Sequence, residues 1–334
     1  MDFALIIEWL IKSVILLLTL TAGFAYVTLY ERKVLARMQV RYGPNRAGPW
    51  GILQPVADGI KLIFKEELIP ERADKLMFVL APVVTAIPAL VITAVIPWGG
   101  TIDIGGRKIA LALADVNVGV LYIMSVASIA VYGIALAGWA SNNKYATLGG
   151  LRSTAQMISY ELAQGLAFVV PILLAGSMSV GDIVNAQRSV WFIFIQPVAA
   201  LIFFISGLAE TNRAPFDMPE AEQELTAGYH TEYSGMKFAL FFMAEYIKCI
   251  AISMIFATLF LGGYLGPFVD QFPWLGPIYL FIKVAASLFV FIWVRATLPR
   301  IRYDRLMAMG WKILFPFSLL SVLITALVII LVGG

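Results

Sequence analysis

Charged residues are scarce in this sequence of 334 residues. Asp, Glu, Lys and Arg make up only 13% of it, whereas hydrophobic residues make up 60%. A soluble domain of this size could not bury so much apolar surface, because the buried fraction rises only slowly with chain length. The net charge is +3, and no basic stripe interleaved with aromatic residues is present, which argues against a nucleic-acid partner. The composition therefore predicts a membrane protein in contact with lipid.

Potential metal ligands are also scarce. The sequence has one cysteine, Cys249, and one histidine, His230, which lies in a polar loop. A single thiol cannot form an internal disulfide, and an iron–sulfur cluster typically takes four thiolates. A single histidine excludes a bis-histidine haem and argues against a zinc site. We therefore predict no metal site and no redox centre in this chain, so electrons for any redox reaction would come from a partner.

Long apolar runs are abundant. A membrane-spanning helix needs about 20 mostly apolar residues to cross a hydrocarbon core of about 30 Å. The runs are continuous rather than alternating, and only helices or closed barrels satisfy backbone groups in lipid, so we predict helices. The predicted fold class is an all-α polytopic membrane protein that forms a single membrane domain over residues 1–334. Eight predicted spans lie near residues 8–30, 76–98, 116–140, 155–176, 190–209, 238–263, 274–296 and 313–332.

Lysine and arginine are unevenly distributed among the predicted loops. The odd-numbered loops carry eighteen of them, and nine lie between residues 31 and 75. The even-numbered loops carry only Arg107, Lys108 and Arg188. Because basic residues accumulate in cytoplasmic loops, the odd-numbered loops are predicted to face the cytoplasm and both termini the outside.

The first loop contains a second helical pattern. Leu53, Val56, Ile60 and Ile63 recur at three- and four-residue steps, with polar residues elsewhere around the helix. This pattern predicts an amphipathic helix that lies on the membrane surface or on a partner. Two interpretations remain open: a plain interfacial anchor, or an anchor that also lines a site.

Loop five is acidic, although basic residues are the rule on its predicted side of the membrane. Only Arg213 and Lys237 oppose its carboxylates in residues 210–237. Clustered carboxylates raise one another's pKa and can share protons, which favours a proton-handling role. The alternative is a solvated loop with a short helix that begins near Pro219. The six carboxylates are Glu210, Asp217, Glu220, Glu222, Glu224 and Glu232.

Ionisable residues also fall within the predicted spans, where they are costly in lipid. Glu245 and Lys248 are three residues apart and could form a pair on one helix face that only stabilises the fold. Glu161 has no charged residue within four positions on its own helix, so its partner must come from another helix or from water, and it is the better candidate for a proton site. Lys283 is expected to snorkel along its helix. The charged stretch from Tyr30 to Lys33 is typical of a stop-transfer signal.

Several long motifs resemble one membrane component of respiratory complex I, called the H subunit in bacteria and NADH dehydrogenase subunit one in mitochondria. The first-loop motif is RYGPNRAGPWGILQPVADGIKL, from Arg41 to Leu62. The fifth-loop motif is ETNRAPFD from Glu210, followed by EAEQE from Glu220 and EYSG from Glu232. Two further segments match. One is LRSTAQMISYE, from Leu151 to Glu161, and the other runs from Arg295 to Asp304 and ends in RIRYD. The resemblance runs from the first predicted span to the eighth and so covers nearly the whole chain.

This resemblance implies a subunit of a proton-pumping NADH:quinone oxidoreductase. Such a subunit forms much of the wall and entrance of a chamber for ubiquinone or menaquinone, which is the substrate. Two hydrophilic partner subunits complete the chamber, and NADH, flavin and iron–sulfur clusters belong to partners alone. The other implied partners are the small and antiporter-like membrane subunits. The implied location is the bacterial plasma membrane rather than the mitochondrial inner membrane.

The resemblance also implies roles for individual residues. The quinone chamber or its entrance would contain Arg32, Gln54, Asp58, Lys61, Arg213, Phe216 and Asp217. The proton path would contain Glu161, Glu210, Glu220, Glu222, Glu224, Glu232 and Glu245. Structural or entrance residues would be Arg295, Arg300, Arg302 and Asp304.

Two other functions are compatible with parts of the sequence. One is the homologous membrane subunit of a membrane-bound hydrogenase or formate hydrogenlyase, in which the first-loop motif is expected to be weaker. The other is a free-standing ion transporter, which the buried charges alone would favour. Broken helices in two related halves would support a transporter, and the sequence contains no such pair.

Overall fold

The computed structural model describes residues 3–104, 107–218 and 227–333. A short antiparallel hairpin, β1 (Thr101–Ile104) and β2 (Arg107–Ala110), pairs Thr101 with Ala110 and was not predicted. Short 3-10 helices cover Pro49–Gly51, Ile92–Val95 and Gly228–His230. The α-helices are α1 (Phe3–Met38), α2 (Gln54–Ile63), α3 (Lys75–Val91), α4 (Gly119–Ala140), α5 (Lys144–Ala175), α6 (Val180–Ala186), α7 (Phe192–Ile195), α8 (Pro197–Glu210), α9 (Gly235–Phe260), α10 (Leu275–Thr297), α11 (Tyr303–Met309) and α12 (Phe315–Gly333).

Within the described residues, seven helical segments are long and apolar enough to cross a membrane. Five are α1, α4, α5, α9 and α10, the sixth is α3 with its 3-10 extension, and the seventh runs from Tyr303 to Val332. The last segment joins α11 to α12 through a π-helix at Gly310–Leu314. These helices confirm the predicted all-α polytopic membrane fold.

The predicted fifth span, residues 190–209, is a broken helix. It consists of α7, with 4 residues, and α8, with 14 residues. Gln196 separates them with φ −132° and ψ 64°, and Pro197 starts α8. Proline lacks the N–H that would continue the hydrogen-bond ladder of the preceding helix. Since α8 alone is shorter than the usual length of a span, the total of eight spans remains a prediction.

Helix α1 extends beyond any single crossing of the membrane. Its 36 residues make a rod of about 54 Å, against a hydrocarbon core of about 30 Å. Its last two turns therefore leave the hydrocarbon and carry Glu31, Arg32, Lys33 and Arg37. The loop that follows and α2 pack beside this end.

Close helix packing at the centre depends on small residues. A Cβ added to Gly133 on α4 would lie 2.0 Å from Thr85 Oγ1 on α3. A Cβ added to Gly138 would lie 2.8 Å from the carbonyl oxygen of Ala146 on α5. Small residues let backbones approach closely where no hydrophobic effect drives helices together. The resulting core brings α5, α8 and α9 together around buried rings such as Phe203 and Phe260.

The amphipathic helix predicted in the first loop is confirmed as α2. Its apolar residues Val56, Ile60 and Ile63 are 52–61% exposed, so the described part of the chain leaves much of this face uncovered. An exposed apolar face of this kind suits the interface between headgroups and acyl chains.

Candidate functional site

A cluster of buried charges joins the end of α1 to α9, α10 and the loop after α8. We call Glu31, Arg213, Glu245, Tyr246 and Arg295 the arginine cluster. Glu31 accepts hydrogen bonds from Arg213 Nη1 at 3.0 and 3.1 Å and from the Tyr246 hydroxyl at 2.7 Å. It also forms an ion pair with Arg295. Glu31 and Arg213 are only 4% and 6% exposed, so both charges depend on these partners.

Arg213 is the centre of this cluster. Its Nε lies 2.5 Å from Glu245 Oε1, and its guanidinium carbon lies 4.1 Å from the centre of the Tyr246 ring. Burial alone would lower the pKa of Arg213, but the carboxylates of Glu245 and Glu31 raise that pKa well above its ordinary value. Arg213 therefore remains a fixed positive charge. The two carboxylates and two guanidinium groups of the cluster balance one another.

Gln156 on α5 holds the loop that carries Arg213. Its Nε2 donates to the carbonyl oxygens of Ala209 and Phe216, both at 2.8 Å. These bonds fix both ends of the turn in which Asn212 adopts a positive φ of 51°. The same carbonyls also accept backbone N–H groups, from Asn212 at 3.3 Å and Met218 at 3.1 Å, so Gln156 adds a second hydrogen bond to each. Gln156 thus positions Arg213, a role that its sequence context did not reveal.

A second buried cluster lies between α4, α5, α8 and α9. We call Glu161, Glu210, Lys248 and Gln164 the lysine cluster. Lys248 interacts electrostatically with Glu210 and Glu161, and Gln164 hydrogen-bonds to Glu210. Ser128 on α4 donates a hydrogen bond to Glu161. A cavity of about 20 Å³, lined by Glu161, Gln164 and Glu210, has room for a water molecule.

The lysine cluster has two carboxylates for one cation. Glu210 and Lys248 are each 7% exposed. With both carboxylates ionised, the cluster carries one negative charge in excess, whereas the arginine cluster is balanced. The arrangement is therefore able to hold a proton, which the balanced arginine cluster is not built to do.

The two clusters meet on α9, which corrects the predicted pair of Glu245 and Lys248. Glu245 contacts Arg213, whereas Lys248 interacts more strongly with Glu210 and Glu161 than with Glu245. Residues three apart are separated by about 60° around a helix, so the clusters occupy neighbouring faces of α9. Glu245 thus pairs with a residue from a distant segment of the chain rather than with its neighbour on α9.

Three of the predicted entrance residues lie together beside the end of α1. Arg32 Nη1 is 2.7 Å from Asp58 Oδ2, and Gln54 Nε2 donates to Asp58 Oδ1 at 3.1 Å. Arg32 is exposed, and so is Lys61 further along α2. This group lies at the surface, one residue along α1 from the buried Glu31.

The remaining predicted site residues are dispersed. Phe216 is buried with its ring 5.4 Å from that of Tyr160, and Asp217 is half-buried. Glu232 accepts a hydrogen bond from Asn143 at 2.6 Å, outside both clusters. Arg300 is exposed, and Arg302 pairs with Asp304 at 3.2 Å on the surface. Glu220, Glu222 and Glu224, with the helix expected near Pro219, lie outside the described residues.

Three sequence interpretations need correction. The stretch from Tyr30 to Lys33 is more than a stop-transfer signal, because Glu31 is the acceptor at the centre of the arginine cluster. Lys283 does not snorkel, because its Nζ donates to the carbonyls of Leu261, Gly263 and Leu265 at 2.7–2.8 Å.

The third correction concerns His230, which was expected in polar surroundings but packs among aromatic rings of the described residues. Its ring lies 3.9 Å from that of Tyr229 and 5.5 Å from those of Phe238 and Phe241. Burial lowers the pKa of His230 to about 3, so the imidazole is neutral at pH 7. Across residues 3–104, 107–218 and 227–333, no group of three or more His, Cys, Asp or Glu residues could hold a metal ion.

Comparison with known proteins gives consistent matches over most of the chain. The family model described as NADH dehydrogenase matches residues 11–326. The chain is 55% identical over 308 residues to an H subunit of the NADH-quinone oxidoreductase of Geobacter sulfurreducens, covering 92% of each protein. It is 53% identical over 302 residues to the H subunit from Protochlamydia amoebophila, covering 90% of this chain and 91% of the relative. The H subunit from Thermomicrobium roseum is 50% identical over 338 residues, covering 98% of each.

Proposed function

This chain belongs to the H-subunit family of NADH-quinone oxidoreductases, and we propose that it confines the quinone of such a complex and links quinone reduction to a proton path. Membership makes it a membrane subunit of a larger oxidoreductase, whose other subunits are its partners. In the proposal, two hydrophilic partners complete the chamber and supply electrons from NADH through flavin and iron–sulfur clusters. Small and antiporter-like membrane subunits continue the proton path. The substrate is ubiquinone or menaquinone.

The single observation that carries the proposal is the lysine cluster, in which two carboxylates share one cation beside a water-sized cavity. Reduction of a quinone to a quinol takes two electrons and two protons. Glu161 and Glu210 are placed to hold and release protons, and Lys248 moderates their charge. The deciding measurement is proton translocation by complexes that carry Glu161→Gln or Glu210→Gln.

The arginine cluster supports the part of the proposal in which this chain confines the quinone. It lies on α1, α9 and α10 around a cavity of about 20 Å³ that Leu288, Phe291 and Ile292 line on the apolar side. The cluster holds the ends of α1, α9 and α10 together beside these apolar side chains, so in the proposal it fixes part of the chamber wall. The surface group of Arg32, Gln54 and Asp58 would form the entrance beside it.

Asp58→Asn is expected to slow quinone-dependent NADH oxidation about fivefold, because Arg32 loses a charged partner worth ~1 kcal/mol. Reduction of a hydrophilic artificial acceptor by the same membranes should be unchanged. The matched control is Asp270→Asn, which removes an exposed partner of Arg188 and should leave both activities intact. Equal losses in both assays for Asp58→Asn would indicate failed assembly and would contradict a role at the entrance.

We also propose that both termini face the outside of a bacterial plasma membrane and that the odd-numbered loops face the cytoplasm. A cysteine in place of Arg302, in a Cys249→Ala background, should then react with a membrane-impermeant maleimide only from the inner face. Arg302 and Arg188 are both exposed and lie in loops of opposite predicted side. Arg188→Cys should therefore react only from the outside of intact cells. The reverse pattern would overturn the orientation.

A further inference from the structure

A concave surface in the loop between α1 and α2 has no part in the proposed reaction. We call it the loop-one pocket, and it is lined mainly by Lys33, Arg37, Tyr42, Pro44, Asn45 and Trp50. Its volume is about 300 Å³, at the lower end of the range for small-molecule sites. It differs in this respect from the water-sized cavities at the two buried clusters.

The pocket carries two positive charges that the described part of the chain does not neutralise. Lys33 and Arg37 are four residues apart, so both project from one face of α1. Lys33 Nζ donates to the carbonyl oxygen of Trp50 at 2.5 Å, which satisfies a hydrogen bond but balances no charge. Neither side chain has a carboxylate within salt-bridge distance among the described residues. The neighbouring Arg32, by contrast, pairs with Asp58.

Two glycines hold the pocket in shape. A Cβ on Gly43 would lie 3.2 Å from the carbonyl oxygen of Arg32 and 3.3 Å from Lys33 Cα, so the loop packs directly on α1. Gly51 has a φ of 77°, and a Cβ there would lie 2.2 Å from the Pro44 carbonyl oxygen. Glycine is required at Gly51, where a side chain would clash with the backbone, and a side chain at Gly43 would make a tight contact with α1, so the loop keeps the pocket in this shape.

The surroundings place the pocket at the edge of the membrane. It follows the point at which α1 leaves the hydrocarbon, and α2 presents its exposed apolar face next to it. Trp50 and Tyr42 are 77% and 88% exposed. Tryptophan and tyrosine favour the level of lipid headgroups, where they combine an apolar ring with a polar atom.

We propose that the loop-one pocket binds the phosphate group of an anionic membrane phospholipid. Lys33 and Arg37 contact the phosphate oxygens, while Trp50 and the apolar face of α2 lie against the acyl chains. An acidic segment of a partner protein could neutralise the same two charges, but it would leave those apolar surfaces without a partner. The inference requires only a membrane location and does not depend on the quinone chamber.

The test uses the whole purified complex in lipid nanodiscs that contain a photoactivatable phosphatidylglycerol. Crosslinking should label peptides that contain Tyr42 or Trp50. At about 1 kcal/mol for each basic residue near a membrane surface, the variant Lys33→Gln/Arg37→Gln should reduce labelling about thirtyfold. Arg37→Gln alone keeps the Lys33–Trp50 bond and should reduce it about fivefold, which keeps the test decisive if the double variant does not assemble. The matched control Lys144→Gln/Arg305→Gln removes one exposed lysine and one exposed arginine elsewhere, and should label normally.

Several outcomes would overturn the proposal. Unchanged labelling in both pocket variants would show that Lys33 and Arg37 do not contribute to lipid binding. Equal labelling by a photoactivatable phosphatidylcholine would show that the pocket does not prefer anionic lipid. Loss of labelling on addition of inorganic phosphate would identify a free phosphate site, and crosslinks from the pocket to a partner protein in place of lipid would identify a protein interface.

Discussion

Glu31→Gln is expected to prevent stable assembly of the complex. The substitution removes the carboxylate that Arg213, Arg295 and Tyr246 share, and Glu245 alone cannot balance the buried guanidinium of Arg213 and the partly buried guanidinium of Arg295. Breaking a buried ion pair by removing one partner costs about 3–5 kcal/mol, a large part of the roughly 5–15 kcal/mol that stabilises a typical domain. The amount of intact complex on native gels and its thermal stability in membranes would measure the effect.

The surface pair of Arg188 and Asp270 supplies a matched control for this substitution. Their side chains are 59% and 80% exposed, and such pairs contribute about 0–1 kcal/mol. Asp270→Asn should therefore leave assembly normal. The double variant Glu31→Gln/Arg295→Gln restores the charge balance, so it should lose less stability than the two single losses added together. A stable complex with Glu31→Gln alone would show that the cluster does not depend on this carboxylate.

Glu161→Gln and Glu210→Gln should each slow quinone reduction and proton translocation by about tenfold or more, with the fold intact. Positioned acids and bases typically contribute about 10²–10⁴-fold to proton transfer, and glutamine keeps the shape of glutamate but cannot carry a proton. Each single variant leaves Lys248 one carboxylate partner, which preserves stability. NADH:quinone activity, its pH profile and proton translocation would be recorded in membranes with fully assembled complex.

Glu71→Gln, an exposed carboxylate outside both clusters, is the matched control and should behave as the unmodified complex. Glu245→Gln should reduce stability more than Glu161→Gln, because it removes a direct partner of the buried Arg213. Normal rates and normal pumping in both Glu161→Gln and Glu210→Gln would show that no proton path runs through these residues. The confinement of quinone would then be the part of the proposed function that remains.

The sequence was a good guide to features that depend on local patterns. Continuous apolar runs predicted the membrane helices, and the three- and four-residue spacing of Val56, Ile60 and Ile63 predicted α2, because both signals lie within a few turns. The absence of a charged residue within four positions of Glu161 on its helix correctly indicated that its partners come from elsewhere, and Ser128 lies on α4.

Features that depend on distant residues could not be predicted in the same way. Glu31 lies 182 residues from Arg213 and 264 from Arg295, so no spacing rule connects them. Because Glu31 precedes Arg32 and Lys33 in the sequence, it was interpreted as part of a stop-transfer signal. Gln156 is a similar case, because its partners are backbone carbonyls in another segment, and a backbone carbonyl has no residue type that a sequence could reveal.

Because α9 carries members of both clusters within one turn, we expect the two clusters to be energetically coupled. A rotation of α9 that lengthened the Tyr246–Glu31 hydrogen bond would also move Lys248 relative to Glu210. Any interaction at the arginine cluster that favours one orientation of α9 would then change the proton affinity of the lysine cluster. Thermodynamic linkage makes this influence reciprocal, so protonation at the lysine cluster would alter affinity at the arginine cluster by the same free energy.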